Sequence, residues 1–204
     1  MKRMIFVRHG ETQINSSGLI HNVDDPNGLT ACGEERVRQI IGALKSHEPE
    51  IFYSSPEKRA IETAGRIAQD FGLEVNALPE FRERDWGEWS GKTWADVEEK
   101  LNVMSLQRRY TFVPPGGESW QQAERRVKEG LRKITSSQHK NIAIVTHGGM
   151  LRILMPMLKD SPLETSFRYN FQNCSLTIFD WDGDRFHEVR VNDISHLASG
   201  FPSA

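Results

Sequence analysis

Met4-Ile5-Phe6-Val7-Arg8-His9-Gly10 is a short apolar run that ends abruptly in two basic residues and a glycine. Its β-branched and aromatic bias predicts a buried strand that opens into a loop. Residues 142–145 form a second apolar run, which stops in the same way at Thr146-His147-Gly148-Gly149. Ligands of open parallel sheets bind beyond the carboxyl ends of the strands. The sequence therefore predicts that His9 and His147 face one crevice, although they are far apart along the chain.

The residues between these two strands alternate between helical and extended patterns. Thr30 is predicted to cap a helix with one apolar stripe, and Ile51–Ser54 is predicted to be a second strand. Ser55-Pro56 predicts the N-cap and first position of the next helix. The core-facing residues predicted for the two helices are Val37, Ile40, Ile41 and Leu44, followed by Ile61, Ala64, Ile67 and Ala68.

The rest of the chain continues this alternation. Ser119 and Gln122 predict a capping box for a helix that runs to about Ile134. The apolar runs at residues 176–179 and 186–191 flank an Asp-Gly-Asp turn signal, which predicts a hairpin on or beside the sheet. The pattern as a whole predicts an α/β three-layer sandwich with a mainly parallel central sheet, helices on both faces and a small inserted lid.

Length and composition limit the class of protein. A chain of 204 residues, 37% of them hydrophobic, suits one domain at residues 1–204 with a lid at about residues 92–114. A net charge of -2 gives no overall attraction for nucleic acid or for an anionic membrane, and neither is expected as a partner. No apolar run fits a signal peptide or a membrane span, so a cytoplasmic location is expected. Cys32 and Cys174 lack metal-ligand spacing and are predicted to be reduced structural thiols. The sequence leaves open whether the chain forms a homo-oligomer.

Five motifs follow one another along the chain. They are Arg8-His9-Gly10-Glu11-Thr12; Ser54-Ser55-Pro56 leading to Arg59-Ala60 and Thr63-Ala64; Glu83 ahead of Asp85-Trp86-Gly87; Pro115-Gly116-Gly117-Glu118-Ser119; and Thr146-His147-Gly148-Gly149. Together they resemble the histidine phosphatase superfamily in its phosphoglycerate-mutase-like branch. The resemblance extends from about residue 3 to residues 193–197, and it implies that neither a metal nor an organic cofactor is needed.

The chemistry of phosphoryl transfer explains why these residue types are needed. A phosphoryl group in transfer spreads negative charge over three oxygens, which an enzyme without a metal must meet with fixed cations and donors. Arg8, Arg59 and His147 are predicted to supply them, because each guanidinium presents a planar fork to two oxygens. Asn15 stands where the family places a phosphate-contacting polar residue, and Gly148 at the predicted helix start completes the predicted substrate-binding set.

His9 is the predicted nucleophile. A neutral imidazole nitrogen can attack phosphorus if a backbone carbonyl holds the proton of the other nitrogen. Glu83 is the predicted acid for the leaving alkoxide, and the same carboxylate could then activate water. The family resemblance implies the same roles for His9 and Glu83, with Arg8, Arg59 and His147 forming the pocket.

Structural interpretations of the same residues stay open at this point. Arg8 and Arg59 could pair with carboxylates such as Glu11 and Glu62, and Glu83 could belong to a solvated charged loop. Glu118 and Ser119 fit a helix start as well as they fit a substrate contact. Of the five other histidines, His21 alone is a candidate for the site, and the others are expected on the surface or in loops. The loop around His21 lacks the Gln-Gly pair of many relatives, which argues against substrate contacts from this loop.

The predicted function is hydrolysis of a small-molecule phosphate monoester through a phosphohistidine. Residues 92–114 are much shorter than the corresponding insert of the cofactor-dependent mutases, and a small lid favours the entry of water. Aromatic residues of the lid suit a hydrophobic ester, whereas Arg108 and Arg109 suit a second anionic group. The nearest alternative is a cofactor-dependent mutase that uses the same pocket, and a further one is a non-catalytic binder of a phosphorylated ligand.

Overall fold

The strand that ends before His9 lies inside a six-stranded sheet in the computed structural model, which describes residues 1–197. Residues 198–204, which the domain prediction includes, lie outside the described residues. The strands are β1 (Lys2–Arg8), β2 (Ile51–Ser54), β3 (Val75–Ala77), β4 (Asn141–Thr146), β5 (Leu176–Trp181) and β6 (Phe186–Asp193). The α-helices are α1 (Gln13–Ser16), α2 (Ala31–Lys45), α3 (Lys58–Asp70), α4 (Trp94–Asn102), α5 (Leu106–Thr111), α6 (Trp120–Ser136) and α7 (Gly148–Leu158). Short 3-10 helices occupy Pro79–Phe81, Gly87–Trp89 and Leu163–Arg168.

The order of the strands is β3-β2-β4-β1-β5-β6. The first four of these are mutually parallel, and β5 and β6 form the predicted hairpin, with β5 antiparallel to β1. Arg8 at the end of β1 pairs with Thr146 at the end of β4. This register places His9 and His147 side by side, one residue beyond the same edge of the sheet.

Helices cover both faces of the sheet, which confirms the predicted three-layer α/β fold. Successive residues of β1 point to opposite faces, as the pleat of a strand requires. Met4 and Phe6 are completely buried against residues of α6 and α7. Ile5 and Val7 are completely buried on the other face, against residues of α2 and α3. The strand that carries the nucleophile candidate is therefore fixed from both sides.

Two of the predicted helix starts are confirmed. The hydroxyl of Thr30 accepts a hydrogen bond from the N–H of Gly33 at 3.0 Å, and α2 follows. Ser119 and Gln122 form the predicted capping box. The Gln122 N–H donates to the Ser119 hydroxyl at 3.1 Å, and the Ser119 N–H donates to Oε1 of Gln122 at 2.7 Å. The helix that this box begins, α6, continues past Ile134 to Ser136.

The predicted start of the next helix was wrong. Helix α3 begins at Lys58 after an N-cap at Glu57, and the Ser55 hydroxyl lies 2.6 Å from Nε2 of His147 instead of capping a helix. Ile61 is 40% exposed and does not belong to the inward face, because the buried stripe of α3 runs through the neighbouring Ala60. The sequence reading also missed the three-residue strand β3 and the single turn α1.

The lid segment, residues 92–114, contains the two short helices α4 and α5. Its ends are held together by hydrogen bonds from the Glu88 N–H to the Pro115 carbonyl at 2.9 Å and from the Glu118 N–H to the Asp85 carbonyl at 2.8 Å. Gly87 has a φ of 51°, and a Cβ atom there would lie 2.1 Å from the Pro115 oxygen. The motif around Asp85-Trp86-Gly87 and the motif at residues 115–119 are therefore bonded to each other at the base of the lid.

The loop after α1 is bound to the lid by its backbone. Hydrogen bonds run from Ile20 N to Lys92 O at 3.0 Å, from Gly91 N to Ile20 O at 2.8 Å and from Trp94 N to Gly18 O at 3.2 Å. The side chain of Ile20 is buried in a small apolar cluster with residues of α4. Loop and lid therefore form one continuous wall above the end of the sheet. In the part of the chain that the structure describes, no helix is both long and apolar enough to cross a bilayer.

Candidate active site

His9 lies directly after β1 and is 2% exposed. Its backbone N–H donates to the Thr146 carbonyl at 2.9 Å, which continues the β1–β4 ladder by one residue. Its Nδ1 lies 2.7 Å from the carbonyl oxygen of Gly10. Because a carbonyl can only accept a hydrogen bond, Nδ1 carries the proton, and Nε2 keeps its lone pair. Burial and the nearby charge of Arg59 hold the pKa of His9 well below its ordinary value of 6.5, so the ring is neutral.

Arg8 and Arg59 each have buried N–H donors that make no hydrogen bond within residues 1–197. Nε and Nη1 of Arg59 and Nε of Arg8 are buried and have no hydrogen-bond partner within residues 1–197. Burial lowers the pKa of Arg8 to about 10, which still leaves it charged at neutral pH. Unpaired buried donors are costly and rare, and guanidinium groups suit an anion such as phosphate.

The alternative pairings of these arginines are absent among the described residues. Glu11 lies 3.9 Å from Arg36, and Glu62 lies 3.8 Å from Lys58. Neither Arg8 nor Arg59 has a carboxylate oxygen within 4.0 Å in the described chain. The two guanidinium groups are therefore not held as structural ion pairs.

His147 is the N-cap of α7 and is completely buried. Its ring centroid lies 5.1 Å from that of His9. Its Nε2 lies 2.6 Å from the Ser55 hydroxyl and 3.1 Å from Oε2 of Glu57. Burial and the charge of Arg59 lower the pKa of His147, so Nε2 of the neutral ring donates to the carboxylate. Its Nδ1 is buried without a partner among the described residues, and an anion beside it would favour the imidazolium form.

Glu57 was missed by the sequence analysis. Burial raises the pKa of its carboxyl, but His147, Ser55 and Arg59 outweigh this effect and lower the pKa to about 2. Its second oxygen accepts the backbone N–H of Glu83 at 2.9 Å. One carboxylate thus orients His147 and fixes the segment that carries the proposed acid. It lies inside the second motif, between Pro56 and Arg59, but its partner His147 is far away along the chain, so no local pattern marks its role.

Glu83 faces the same crevice as His9. Its Oε2 accepts the N–H of Gly149 at 3.2 Å, and its Oε1 accepts the N–H of Arg84 at 2.9 Å. The first of these donors belongs to the first turn of α7, where the helix dipole favours a negative charge. Glu83 is therefore placed against the end of a helix and does not extend into solvent.

Arg126 on α6 holds the backbone of the Glu83 segment and was also missed. Its guanidinium donates to the carbonyl oxygens of Glu80 at 2.9 Å, Arg82 at 2.6 Å and Glu83 at 3.1 Å. The carboxylate of Glu118 accepts two further hydrogen bonds from it, at 2.9 and 2.7 Å. Glu118 is thus an ion-pair partner of Arg126, which agrees with the helix-start alternative and not with a substrate contact.

Asn15 and His21 complete the wall next to His9. The Asn15 side-chain oxygen accepts from Thr12 N at 3.1 Å and from Asn173 Nδ2 at 3.3 Å, so its amide nitrogen is the group left for a ligand. His21 lies 2.7 Å from the Thr12 hydroxyl, and its ring is nearly perpendicular to that of His9 at 5.7 Å. Burial lowers the pKa of His21 to about 2, so this ring is neutral as well.

One cavity of about 540 Å³ opens from this cluster. Of the predicted site residues, its lining contains Arg8, His9, Asn15, Glu83 and Gly148. Arg59 and His147 are buried next to His9 and are not part of this lining. The charge of Arg59 acts on His9, and the His147 ring packs against the His9 ring. Across residues 1–197, no group of three or more His, Cys, Asp or Glu side chains is arranged to hold a metal ion. The donors that converge here are chemically suited to a phosphoryl group.

The chain is similar to known proteins over most of its length. A family model described as histidine phosphatase superfamily (branch 1) matches residues 4–194. The metal-independent phosphoserine phosphatase of Arabidopsis thaliana is 30% identical over 204 residues, which cover 96% of this chain and 83% of that protein. The 2,3-bisphosphoglycerate-dependent phosphoglycerate mutase of Cytophaga hutchinsonii is 32% identical over 167 residues, 78% of either protein. The crystal structure of the alpha-ribazole phosphatase from Shigella flexneri has a TM-score of 0.82 at 26% identity, and the match covers 94% of this chain and 96% of that one.

Proposed function

The chain belongs to the histidine phosphatase superfamily, and on that premise we propose that it hydrolyses a small phosphate monoester in two steps with His9 as the nucleophile. The observation that carries the proposal is the 2.7 Å contact between Nδ1 of His9 and the Gly10 carbonyl. This contact leaves the Nε2 lone pair of a neutral ring free for attack, beside Arg8, Arg59 and His147.

In the first step, Nε2 of His9 forms a bond to phosphorus while the bond from phosphorus to the ester oxygen breaks. Glu83 donates its proton to that oxygen, and the alcohol leaves. In the second step, Glu83 takes a proton from water, the hydroxide oxygen bonds to phosphorus, and the P–N bond breaks. Inorganic phosphate leaves, and both His9 and Glu83 return to their starting states.

The remaining site residues are proposed to hold the phosphoryl oxygens. Arg8, Arg59 and His147 place positive charge where negative charge spreads in the transition state, and a water-poor setting strengthens these interactions. The Asn15 amide and the backbone of Gly148 at the start of α7 would add neutral donors. This set requires no metal, and the name of the Arabidopsis relative supports that part of the proposal.

A mutase is the second candidate, supported by the Cytophaga relative. It would use the same phosphohistidine but return the phosphoryl group to the bound product, so it would need priming by a bisphosphate and would have to exclude water. The short lid at residues 92–114 favours hydrolysis. A cytosolic site of action also stays part of the proposal, supported by the free thiols of Cys32 and Cys174.

The test is hydrolysis of p-nitrophenyl phosphate in excess chelator by the wild type, His9→Ala and the control His139→Ala. We expect chelator-resistant turnover that falls by at least about 1,000-fold in His9→Ala, because the covalent route is lost, and that persists in the control. Circular dichroism checks that both variants fold. An acid-labile phosphoenzyme in His9→Ala would remove His9 as the nucleophile. Turnover that appears only with added bisphosphate and an acceptor acid would favour the mutase.

A further inference from the structure

A further arginine, Arg152, lines the cavity and has no role in the two steps above. It stands four residues after Gly148 on α7, so both residues lie on the same face of the helix. Its Nε donates to the carbonyl oxygen of Tyr169 at 2.8 Å, which fixes the guanidinium on the cavity wall. The two terminal nitrogens form no hydrogen bond with any residue that the structure describes. They are therefore available to a ligand.

Arg152 also lacks a counter-ion. Within residues 1–197, no carboxylate oxygen lies within 4.0 Å of it. Glu83 and Glu98 act on it only over longer distances, and it lies close enough to Arg8 for the two positive charges to repel each other. Charges in largely buried positions are normally paired. A ligand that brings one anion to Arg8 and a second to Arg152 would relieve both the unpaired charge and the repulsion.

Aromatic side chains line the cavity that holds Arg8 and Arg152. Arg152 lies 5.6 Å above the ring of Trp94, which packs edge-on against Trp86 at 5.6 Å. Trp120 and Phe167 line the same cavity with ring centroids 5.1 Å apart. Surfaces of this kind bind aromatic or aliphatic groups by burying their area.

We propose that Arg152 forms a second anion subsite, and that the substrate is the phosphate ester of an apolar, bulky hydroxycarboxylic acid whose carboxylate binds this guanidinium. The proposal rests on the proposed function, since it places the phosphoryl group at His9. A carboxylate fits better than a second phosphate for two reasons. One guanidinium balances one negative charge with a planar fork. Glu98 of the lid lines the same cavity and would repel a dianion more strongly.

The test compares 4-carboxyphenyl phosphate with its neutral isostere 4-carbamoylphenyl phosphate. The proteins are the wild type, Arg152→Gln, Glu98→Gln and the control Arg132→Gln, whose side chain is 69% exposed on α6. Arg152→Gln should lower kcat/KM for 4-carboxyphenyl phosphate by about 10- to 100-fold, mainly through KM, because the variant loses a charged hydrogen bond to the substrate carboxylate. The carbamoyl ester should change by less than about threefold. Glu98→Gln should raise kcat/KM only for 4-carboxyphenyl phosphate. The control Arg132→Gln should leave kcat/KM unchanged for both substrates.

Equal losses for both esters in Arg152→Gln would overturn the proposal, because Arg152 would then act on the phosphoryl group or on the fold. A thermal melt separates those two readings. Calorimetric binding of 4-carboxybenzylphosphonate and of 4-carbamoylbenzylphosphonate repeats the comparison without turnover. If the wild type hydrolyses neither ester but Arg152→Gln still weakens only the carboxylated phosphonate, the proposed function fails and the subsite stands. If the variant binds both phosphonates as the wild type does, the subsite fails.

Discussion

Gly149 is the residue that allows Glu83 to lie against the start of α7. A Cβ atom at this position would be 2.3 Å from Oε1 of Glu83, and the flexible carboxylate would have to move away. We expect Gly149→Ala to leave the fold intact and to lower kcat by about 10-fold or more, because general acid catalysis is worth roughly 100- to 10,000-fold. The loss should be larger for alkyl phosphates than for p-nitrophenyl phosphate, whose leaving group needs little protonation.

Gly65→Ala is the matched control for this prediction. Gly65 lies inside α3, and a Cβ atom there would meet no atom within 4 Å. This change should keep the activity and raise the free energy of unfolding by about 0.5–1 kcal/mol, because alanine favours the helix. Equal losses for good and poor leaving groups in Gly149→Ala would show that the acid had not been displaced.

Residues at the ends of the parallel strands could be predicted from sequence, and their supporting partners could not. His9 and His147 each follow an apolar run and precede a glycine, so the motif and the strand end appear together. Glu57 lies 3.1 Å from His147 but is ninety residues away along the chain. Arg126 and Arg152 are ordinary charged positions in helical patterns. Their roles depend on which helix faces which loop, and no local pattern records that.

At the scale of single elements, the N-cap of α6 gives a direct test of a helix start. Ser119 accepts the Gln122 N–H, and it does not line the cavity. We expect Ser119→Ala to lower the free energy of unfolding by about 1 kcal/mol and the melting temperature by about 2–4 °C. The kcat/KM should stay unchanged. Ser119→Thr should keep most of the stability, and a loss of kcat/KM in Ser119→Ala without a change in melting temperature would revive the substrate-contact alternative.

Among the elements, those with strong local signals were predicted well. Thr30 and Ser119 are followed by regular apolar spacing, and α2 and α6 begin where they should. The start of α3 was misplaced because Ser55 combines the residue type of a cap with a tertiary role beside His147. Strand β3 has only three residues and no fully buried one, so its sequence carries no apolar run to recognise.

For the whole molecule, the buried neutral histidines predict how stability depends on pH. The pKa values of His9, His21 and His147 all lie below the ordinary 6.5, mainly because of burial and then because of Arg59. Below pH 6.5 the unfolded chain therefore binds protons that the folded chain does not. The free energy of unfolding should be highest above that pH and should fall on acidification by up to about 1.4 kcal/mol per pH unit for each histidine.

Denaturant unfolding measured between pH 7.5 and 5 checks this dependence. In His21→Gln, the free energy of unfolding should change less steeply with pH, because one of the three contributing histidines is gone. The pKa of His21 is lowered to about 2, so its ring stays neutral throughout this range in the folded wild type. Saturating inorganic phosphate should flatten the slope as well, because an anion beside the rings favours their protonated forms. An unchanged pH dependence in His21→Gln would contradict the neutral state of this half-buried ring.

The position of β1 inside the sheet has a consequence for how the protein is made. Ile5 pairs with Ala143 on one side and with Ile178 on the other, so β1 leaves the ribosome well before either of its neighbouring strands. Until then its edges and its apolar residues lack their final partners, which is the state in which nascent chains aggregate or recruit chaperones. A growing chain that ends before β4 would already contain His9 but would have no second strand to hold the ring in place. Catalytic competence should therefore appear abruptly, and only after β4 has been synthesised.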